Sequence, residues 1–320
     1  MSASTATAPA SIARRGSNAG DAIFALVAKL SGIFVLAVLG AIIAALAIGG
    51  SKALIAFGPG FLTSDDWDPV KESFGALVPI FGTIVTAILA LLMAVPLAFG
   101  IAFYLTEIAP GWMRGPVSRA IELLAAVPSI IYGMWGFFVI VPIMSQYVQP
   151  LVIGTIGEWP VIGPFFGGPP FGTGILTASL ILAVMIIPFI AATMRDVFDT
   201  VPAVYKESAY GLGCTTWEVM RSIVVPYTRA SVVGGIMLGL GRALGETLAV
   251  TFVIGNTNRI ATSLFGPGNT IASIVALEFP ESQTGSLKLS SLLALGLILF
   301  IIAFIVLTIS RILLRPGAKA

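Results

Sequence analysis

The order of hydrophobic and polar positions divides this chain into six long apolar runs, separated by segments that hold nearly all of its charge. The runs are Ala22–Ile48, Leu77–Leu105, Ile121–Met144, Gly174–Met194, Ala230–Ile254 and Leu289–Leu314. Crossing a bilayer core as a helix takes about 20 apolar residues, and each run supplies them. The two-residue alternation of a membrane barrel strand is absent. The pattern therefore predicts an all-α membrane protein with six transmembrane helices, the longer ones tilted or bent. Pro96, Pro128, Pro142 and Pro188 lie within the runs or at their ends, where a lost backbone hydrogen bond gives a kink.

The intervals are less uniform. Residues 1–20 are rich in Ala, Ser and Thr without apolar periodicity and read as a disordered cytosolic tail. Arg14 and Arg15 precede an apolar run about twice the length of a signal-peptide core, so an uncleaved first span is expected. The chain then divides into 21–76 (first span and outer loop), 77–314 (five spans and an inner loop at 199–226) and a cytosolic tail at 315–320. The outer loop 50–76 carries an acidic face of Asp65, Asp66, Asp68 and Glu72. Segment 148–173 is dense in Gly and Pro, either a structured non-helical loop over the outer mouth or a long linker. Trp159, Phe165, Phe166 and Phe171 favour the structured loop because such side chains want burial. The last outer segment, 255–288, is polar, with Asn256, Asn258, Asn269 and Glu281.

The inner loop has local start and stop signals. Asp199 and Thr200 followed by Pro202 read as a helix start, and Gly211 and Gly213 weaken and end that helix. Gly213 is placed to act as a left-handed terminator. Thr215 and Glu218 form a capping-box pair that starts a second helix running to Pro226. Two short helices at a glycine elbow would make a compact knob with a charged face.

Composition changes the picture in what it removes. The chain has 320 residues, of which 57% are hydrophobic and 10% charged, and its mean hydropathy is +1.02. Soluble chains carry about a quarter charged residues. With both termini inside, the inner segments hold Arg14, Arg15, Lys29, Arg114, Arg119, Arg195, Lys206, Arg221, Arg229, Arg311, Arg315 and Lys319. The outer ones hold Lys52, Lys71, Arg259 and Lys288. That asymmetry fixes the expected orientation, and the net charge of +2 is topology rather than a nucleic-acid signal. Cys214 is the only cysteine and histidine is absent, which disfavours a transition-metal site or a His-based relay. No Gly-x-x-x-x-Gly-Lys-[Ser/Thr] occurs, so no P-loop hydrolyses ATP here and no cofactor is expected on this chain.

Arg242 and Glu246 are the exceptional charges, because both fall inside the fifth run. A charge at bilayer depth costs about 2.5–3.5 kcal/mol on insertion scales. On a continuous helix the pair shares one face with Gly235, Gly239 and Ala249, where another helix or a water-filled path could come close. Gly234, Gly241 and Gly245 line a second small face, suited to a neighbouring helix. A self-neutralising ion pair gains only about 0.2–0.5 kcal/mol, and Arg preceding Glu is the weaker order. The functional reading is that Arg242 attracts an anion in a pathway and Glu246 keeps it from holding too tightly, with Thr247 beside them.

Two sets of residues carry a resemblance. Glu207, Ala209, Gly213, Ile223 and Pro226 have the spacing Glu-x-Ala-x-x-x-Gly-x9-Ile-x-x-Pro, similar to the "EAA" loop of ABC-importer permeases. Ser208 and Val225 depart from that pattern, where Ala and Leu are usual. Gly-Leu-Gly-Arg-Ala-Leu-Gly-Glu-Thr at 239–247, the third-span run 124–136, segment 168–176 and Ile186-Ile187-Pro188 resemble phosphate-specific ABC permeases of the PstC type. The resemblance implies a type I (MetI-like) importer fold in a bacterial inner membrane and a knob on which an ATPase docks. Glu207, Ser208, Ala209, Gly211, Gly213 and Pro226 are then the docking residues. It further implies a PstA-type permease, two PstB-type ATPases holding ATP-Mg, a periplasmic phosphate-binding protein and a PhoU-type regulator as partners. A permease for sulfate or molybdate, an ion-coupled carrier without a motor, and a phosphate-sensing scaffold are the alternatives.

Overall fold

A computed structural model describes residues 19–157 and 159–313. The expected tails at 1–20 and 315–320 fall outside these residues, except that Ala19 and Gly20 open the first helix. Among the described residues, six helices are long and apolar enough to cross a membrane. The chain divides into two compact units, up to Ala45 and from Leu46 onward. In the first unit, residues 19–45 belong to the apolar helix Ala19–Phe57, and Phe24, Phe34 and Leu36 on it are exposed. A helix apolar all round needs an apolar surrounding, here the bilayer.

The second unit is organised around the fourth span, Ile175–Asp199, which is the most buried of the six. The second span, Leu77–Phe103 with a π turn at Tyr104–Ile108, packs along it. Ala87, Ala90, Ala94, Ala98 and Ala102 recur every three or four residues and are all fully buried. This ridge of small side chains lets the two backbones approach, and Ile181, Leu182, Met185, Ile186 and Ile190 fill the space opposite. Lipid tails are as apolar as these side chains, so the gain is close packing and not removal from water. Mid-helix Pro96 and Pro188 are both accommodated.

Outside this core, Phe61, Trp67, Phe74, Ile271, Leu292 and Leu295 form a second cluster. Within the second unit, Phe61, Trp67 and Phe74 are thus packed against residues of the later spans. A small antiparallel hairpin, which an all-helical reading did not foresee, pairs Trp67 with Phe74 and Asp68 with Ser73. The backbone N–H groups of Val70 and Lys71 donate to Asp68 Oδ1 at 2.9 and 3.2 Å and close the turn. They hold the Asp68 carboxyl below its usual pKa. Trp67 Nε1 donates to the Glu278 carboxylate at 3.0 Å, and Lys288 pairs with it at 3.1 Å.

Several helix limits differ from the sequence expectation: the first helix runs on to Phe57 and the third span to Thr155, and four further differences have a local reason. The third span begins at Ser129 and not at Ile121, since Gly111–Ala125 is a separate helix. Pro128, with ψ 135°, and the restriction it places on Val127 break the chain between them. The helix expected to start at Asp199 starts at Ala203, because the fourth span runs on through Asp199 and Pro202 forms the boundary. The helix opened by Thr215 does not stop at Pro226 but continues as the fifth span to Leu244. A π turn at Met220–Val224 widens the helix just before Pro226, which has no N–H to give and whose ring would meet the carbonyl of the preceding turn. The fifth span itself ends at Leu244, ten residues short of the expected limit, and a separate short helix follows at Leu248–Thr251.

The Gly/Pro-rich segment is not wholly non-helical: Gln149–Thr155 continues the third span as helix, and 159–173, with a 3-10 turn at Gly163–Phe166, is a structured loop. Phe165 O accepts from Leu264 N at 2.8 Å and Ser263 Oγ at 3.1 Å, and Gln149 Oε1 accepts from Gly172 N at 2.8 Å. Its aromatics are not the reason: Trp159, Phe165 and Phe171 are more than half exposed, and Phe166 alone packs, edge-on to Phe265 at 5.5 Å. Backbone pairing with the 255–270 segment orders the loop and leaves these rings on its surface. The last outer segment is likewise more than a polar loop, since Ile271–Glu278 is helical behind a Thr270–Ser273 capping box.

Candidate functional site

The fifth span approaches the fourth through its glycines. A Cβ at Gly235 would stand 2.8 Å from Thr193 Cγ2, and one at Gly239 would stand 2.7 Å from Ile190 Cδ1. The expected close face is therefore real. A Cβ at Gly234 or Gly241, on the second small face, would meet nothing within 4 Å, so no described helix packs tightly against these two glycines.

Arg242 and Glu246 do not share a helix face. The helix ends at Leu244 with Gly245 as its cap, and the pair is not among the ion pairs of the described residues. Each charge is met by a helix terminus instead. The Arg242 guanidinium donates from Nη1 and Nη2 to the Ala125 carbonyl at 3.4 and 3.5 Å and lies 5.7 Å from the centre of the Phe189 ring. Ala125 is the last residue of the Gly111–Ala125 helix, whose carbonyl end carries partial negative charge. Beside it, Tyr132 Oη donates to Leu124 O at 2.9 Å. Glu246 Oε1 accepts from Ala249 N at 3.3 Å, at the positive end of the short Leu248–Thr251 helix. Thr247 is the cap residue of that helix, and its carbonyl accepts from Thr251 Oγ1 at 2.7 Å.

Two interrupted backbones thus meet, 126–128 and 245–247, held by Arg242. Non-helical backbone at membrane depth is tolerated where it is buried in protein or lines a water-filled cavity. A Cβ at Gly133 would stand 2.8 Å from Ala249 Cα, so the third span presses closely on the short helix beyond the break. The contacts on Arg242 are long and share one carbonyl oxygen, which leaves most of its five N–H donors for another acceptor. What the arrangement offers is a partly buried positive charge, cushioned by dipoles and not cancelled by a carboxylate. Ala125, Tyr132 and Phe189 were not foreseen as its neighbours. Tyr132 does lie in a stretch whose likeness to permeases was noted, but no local spacing points to residues more than fifty positions away.

The knob at 199–226 contains both expected devices. Helix Ala203–Gly211 ends in Gly213 at φ +88°, with Gly213 N donating to Tyr210 O at 2.9 Å and Cys214 N to Ala209 O at 3.1 Å, a Schellman pair. Thr215 N donates to Glu218 Oε2 at 2.8 Å and Glu218 N to Thr215 Oγ1 at 3.4 Å, completing the capping box. Glu207, Ser208 and Gly211 are exposed with Val204 and Leu212, whereas Ala209 is buried and holds the helix down. Pro226 is exposed on the following span and not at the end of the knob. Cys214 is half-buried against the main core, in keeping with a packing role. One tie was not visible in the sequence: Lys206 Nζ pairs with Glu107 Oε1 at 2.5 Å, with only 16% and 7% of the side chains exposed. It fastens the knob to the end of the second span, and Trp217 stacks edge-on to Phe103 at 5.9 Å beside it.

Comparison with known proteins adds independent findings. Residues 94–316 match the family described as "Binding-protein-dependent transport system inner membrane component". The chain is 55% identical over 300 residues to the "Phosphate transport system permease protein PstC" of Mesorhizobium japonicum, covering 93% of this chain and 91% of the relative. It is 56% identical over 299 residues to the protein of the same name from Pasteurella multocida, covering 93% of each. Among solved structures, a bacterial alginate ABC transporter superposes with TM-score 0.54 at 16% identity, covering 90% of this chain and 95% of that one. The MetNI methionine ABC transporter superposes with TM-score 0.54 at 14% identity, covering 75% and 94%. At such identities these two structures establish a shared fold.

Proposed function

Because the chain belongs to the family of binding-protein-dependent transport system inner membrane components, and within it to the PstC phosphate permeases, we propose that it forms half of the translocation pathway of an ATP-driven phosphate importer. It is a multi-pass inner-membrane protein with the fold of a type I importer permease. Like its relatives it is a permease subunit of an assembly that includes a second permease, ATPases and a binding protein. We assign those partners as a PstA-type permease, two PstB-type ATPases holding the ATP-Mg, and a periplasmic phosphate-binding protein, with a PhoU-type regulator on the inner side. This chain then binds no cofactor and catalyses no covalent step.

The observation that carries the reading beyond family membership is Arg242, a guanidinium inside the span region with no carboxylate partner among the described residues. Arg with spare donors suits a tetrahedral oxyanion. ATP binding would close the ATPase pair, act on Glu207, Ser208, Ala209, Gly211 and Gly213, and open the pathway outward, so that phosphate passes Arg242, Glu246 and Thr247. The test is uptake by the assembled complex in vesicles with labelled phosphate and sulfate or molybdate as competitors, from equal concentration upward. Competition at equal concentration by either would replace phosphate as the substrate.

Orientation is proposed from the charge asymmetry, with both termini and the knob inside. Because Cys214 is half-buried, the better reporter is Leu212→Cys in a Cys214→Ala background, as Leu212 is 86% exposed. An impermeant thiol reagent is expected to leave it unlabelled in intact cells and to label it in inverted vesicles without the ATPase. Labelling from outside would reverse the topology.

Gly213→Val is expected to weaken ATPase co-purification and uptake while membrane insertion stays normal. A Cβ there meets nothing within 4 Å, so the penalty is purely backbone strain, about 1–2 kcal/mol and more for a branched side chain. Gly213→Asn tolerates left-handed backbone better and should retain most coupling. Equal loss in both variants would remove φ as the cause.

A further inference from the structure

We propose that the cavity between the fourth, fifth and sixth spans is a binding slot for one anionic phospholipid, its acyl chain lying against Gly234, Leu238, Phe304 and Leu307 and its headgroup phosphate on Arg311. The cavity measures about 630 Å³ and its walls are predominantly apolar. Its polar components include Ser231 and, in the last turn of the sixth span, Arg311. Arg311 joins none of the ion pairs among the described residues and is exposed. From Leu287 to Arg311 the helix rises about 36 Å, slightly more than the hydrocarbon core, so Arg311 reaches the headgroup layer when Leu287 lies at the opposite edge. Phe304 and Leu307 lie one to two turns deeper, at the depth of acyl chains.

The charge selects the occupant. A helix from a neighbouring subunit would have to bury Arg311 or bring it a carboxylate, whereas an anionic lipid supplies the phosphate and the chain in one molecule. Basic pockets between spans recognise anionic headgroups in this way. The glycine at 234 shapes the slot: a Cβ there meets no atom within 4 Å, so the space beside it is open and not packed. The proposed orientation decides only which leaflet supplies the lipid; the chemistry of the slot does not depend on it.

The experiment uses the complete complex in nanodiscs of equal parts phosphatidylglycerol and phosphatidylcholine, followed by native mass spectrometry of retained lipid. Wild type is expected to retain phosphatidylglycerol in preference. Arg311→Gln should lower that retention about fivefold, the contribution of one cation near an anionic headgroup. Gly234→Leu should fill the slot and lower it as well, with the complex intact. Undiminished retention in both variants would overturn the site, as would wild-type retention indifferent to headgroup. Release of the second permease by Gly234→Leu would also overturn it, by making the slot a protein interface. Phosphate uptake in vesicles lacking anionic lipid serves as a separate readout, so failure of the lipid site leaves the transport reading standing.

Discussion

Replacing Arg242 by Gln is expected to abolish phosphate uptake while the complex still assembles. Gln is two bonds shorter than Arg, so the contact with the Ala125 carbonyl, already long at 3.4 Å, is lost, while the close packing of Gly133 on Ala249 still joins the two regions. For a passing anion, what disappears is the charge. At about 4 Å from a singly charged anion, it contributes roughly 4 kcal/mol at an effective dielectric of 20. Each 1.36 kcal/mol lost from a barrier is tenfold in rate, so even half of this slows passage by more than tenfold. Since Glu246 is held by the Ala249 N–H and not by Arg242, the substitution does not strand it. The double variant Arg242→Gln with Glu246→Gln should therefore stay inactive. Recovery of uptake in the double variant would mean that repulsion by Glu246 is the dominant effect. Arg242→Lys tests geometry: a compact ammonium preserves charge but not the planar fork, and partial uptake is expected. Normal uptake in Arg242→Gln would leave Arg242 as a cap on the Gly111–Ala125 helix and nothing more.

Glu107→Gln is expected to lower both the thermal stability of the complex and its coupling to the ATPase. The carboxylate and Lys206 are almost enclosed, and taking one partner from a buried pair typically costs about 3–5 kcal/mol because the other charge is stranded. The residual exposure of Lys206 lets water relieve part of this. The damage falls on the fastening between the knob and the second span, so uptake per ATP hydrolysed should drop even where the complex survives. Glu107→Met with Lys206→Met removes both charges and fills the space, and should restore stability toward wild type. Thermal unfolding of the purified complex, with uptake and hydrolysis measured side by side, decides the matter. Wild-type stability and coupling in Glu107→Gln would show the pair to be incidental.

Features that depend on summed hydropathy or on neighbours within a few residues were legible in the sequence. Six spans follow from apolar runs, since the cost of exposing backbone in lipid permits little else. The Gly213 terminator and the Thr215–Glu218 capping box follow from interactions three to five residues apart. Helix limits near proline were less legible: Pro128 breaks a helix, Pro202 begins one, and Pro226 is absorbed by a π turn. The ring removes the same hydrogen bond each time, and the packing around it decides the outcome.

The site itself needed the tertiary structure. A glycine at 245 costs a helix only about 1 kcal/mol, so propensity does not announce that the fifth span stops there. The break is stabilised where the Leu248–Thr251 helix packs on Gly133, a contact between distant parts of the chain. Arg242 reaches a carbonyl 117 residues away and Lys206 a carboxylate 99 residues away. Sequence alone determined six apolar spans, a charged knob between the fourth and fifth, and two charges in an apolar run. Only the fold decided that those charges face separate helix ends, because helix termini act on whichever charge the chain path brings to them.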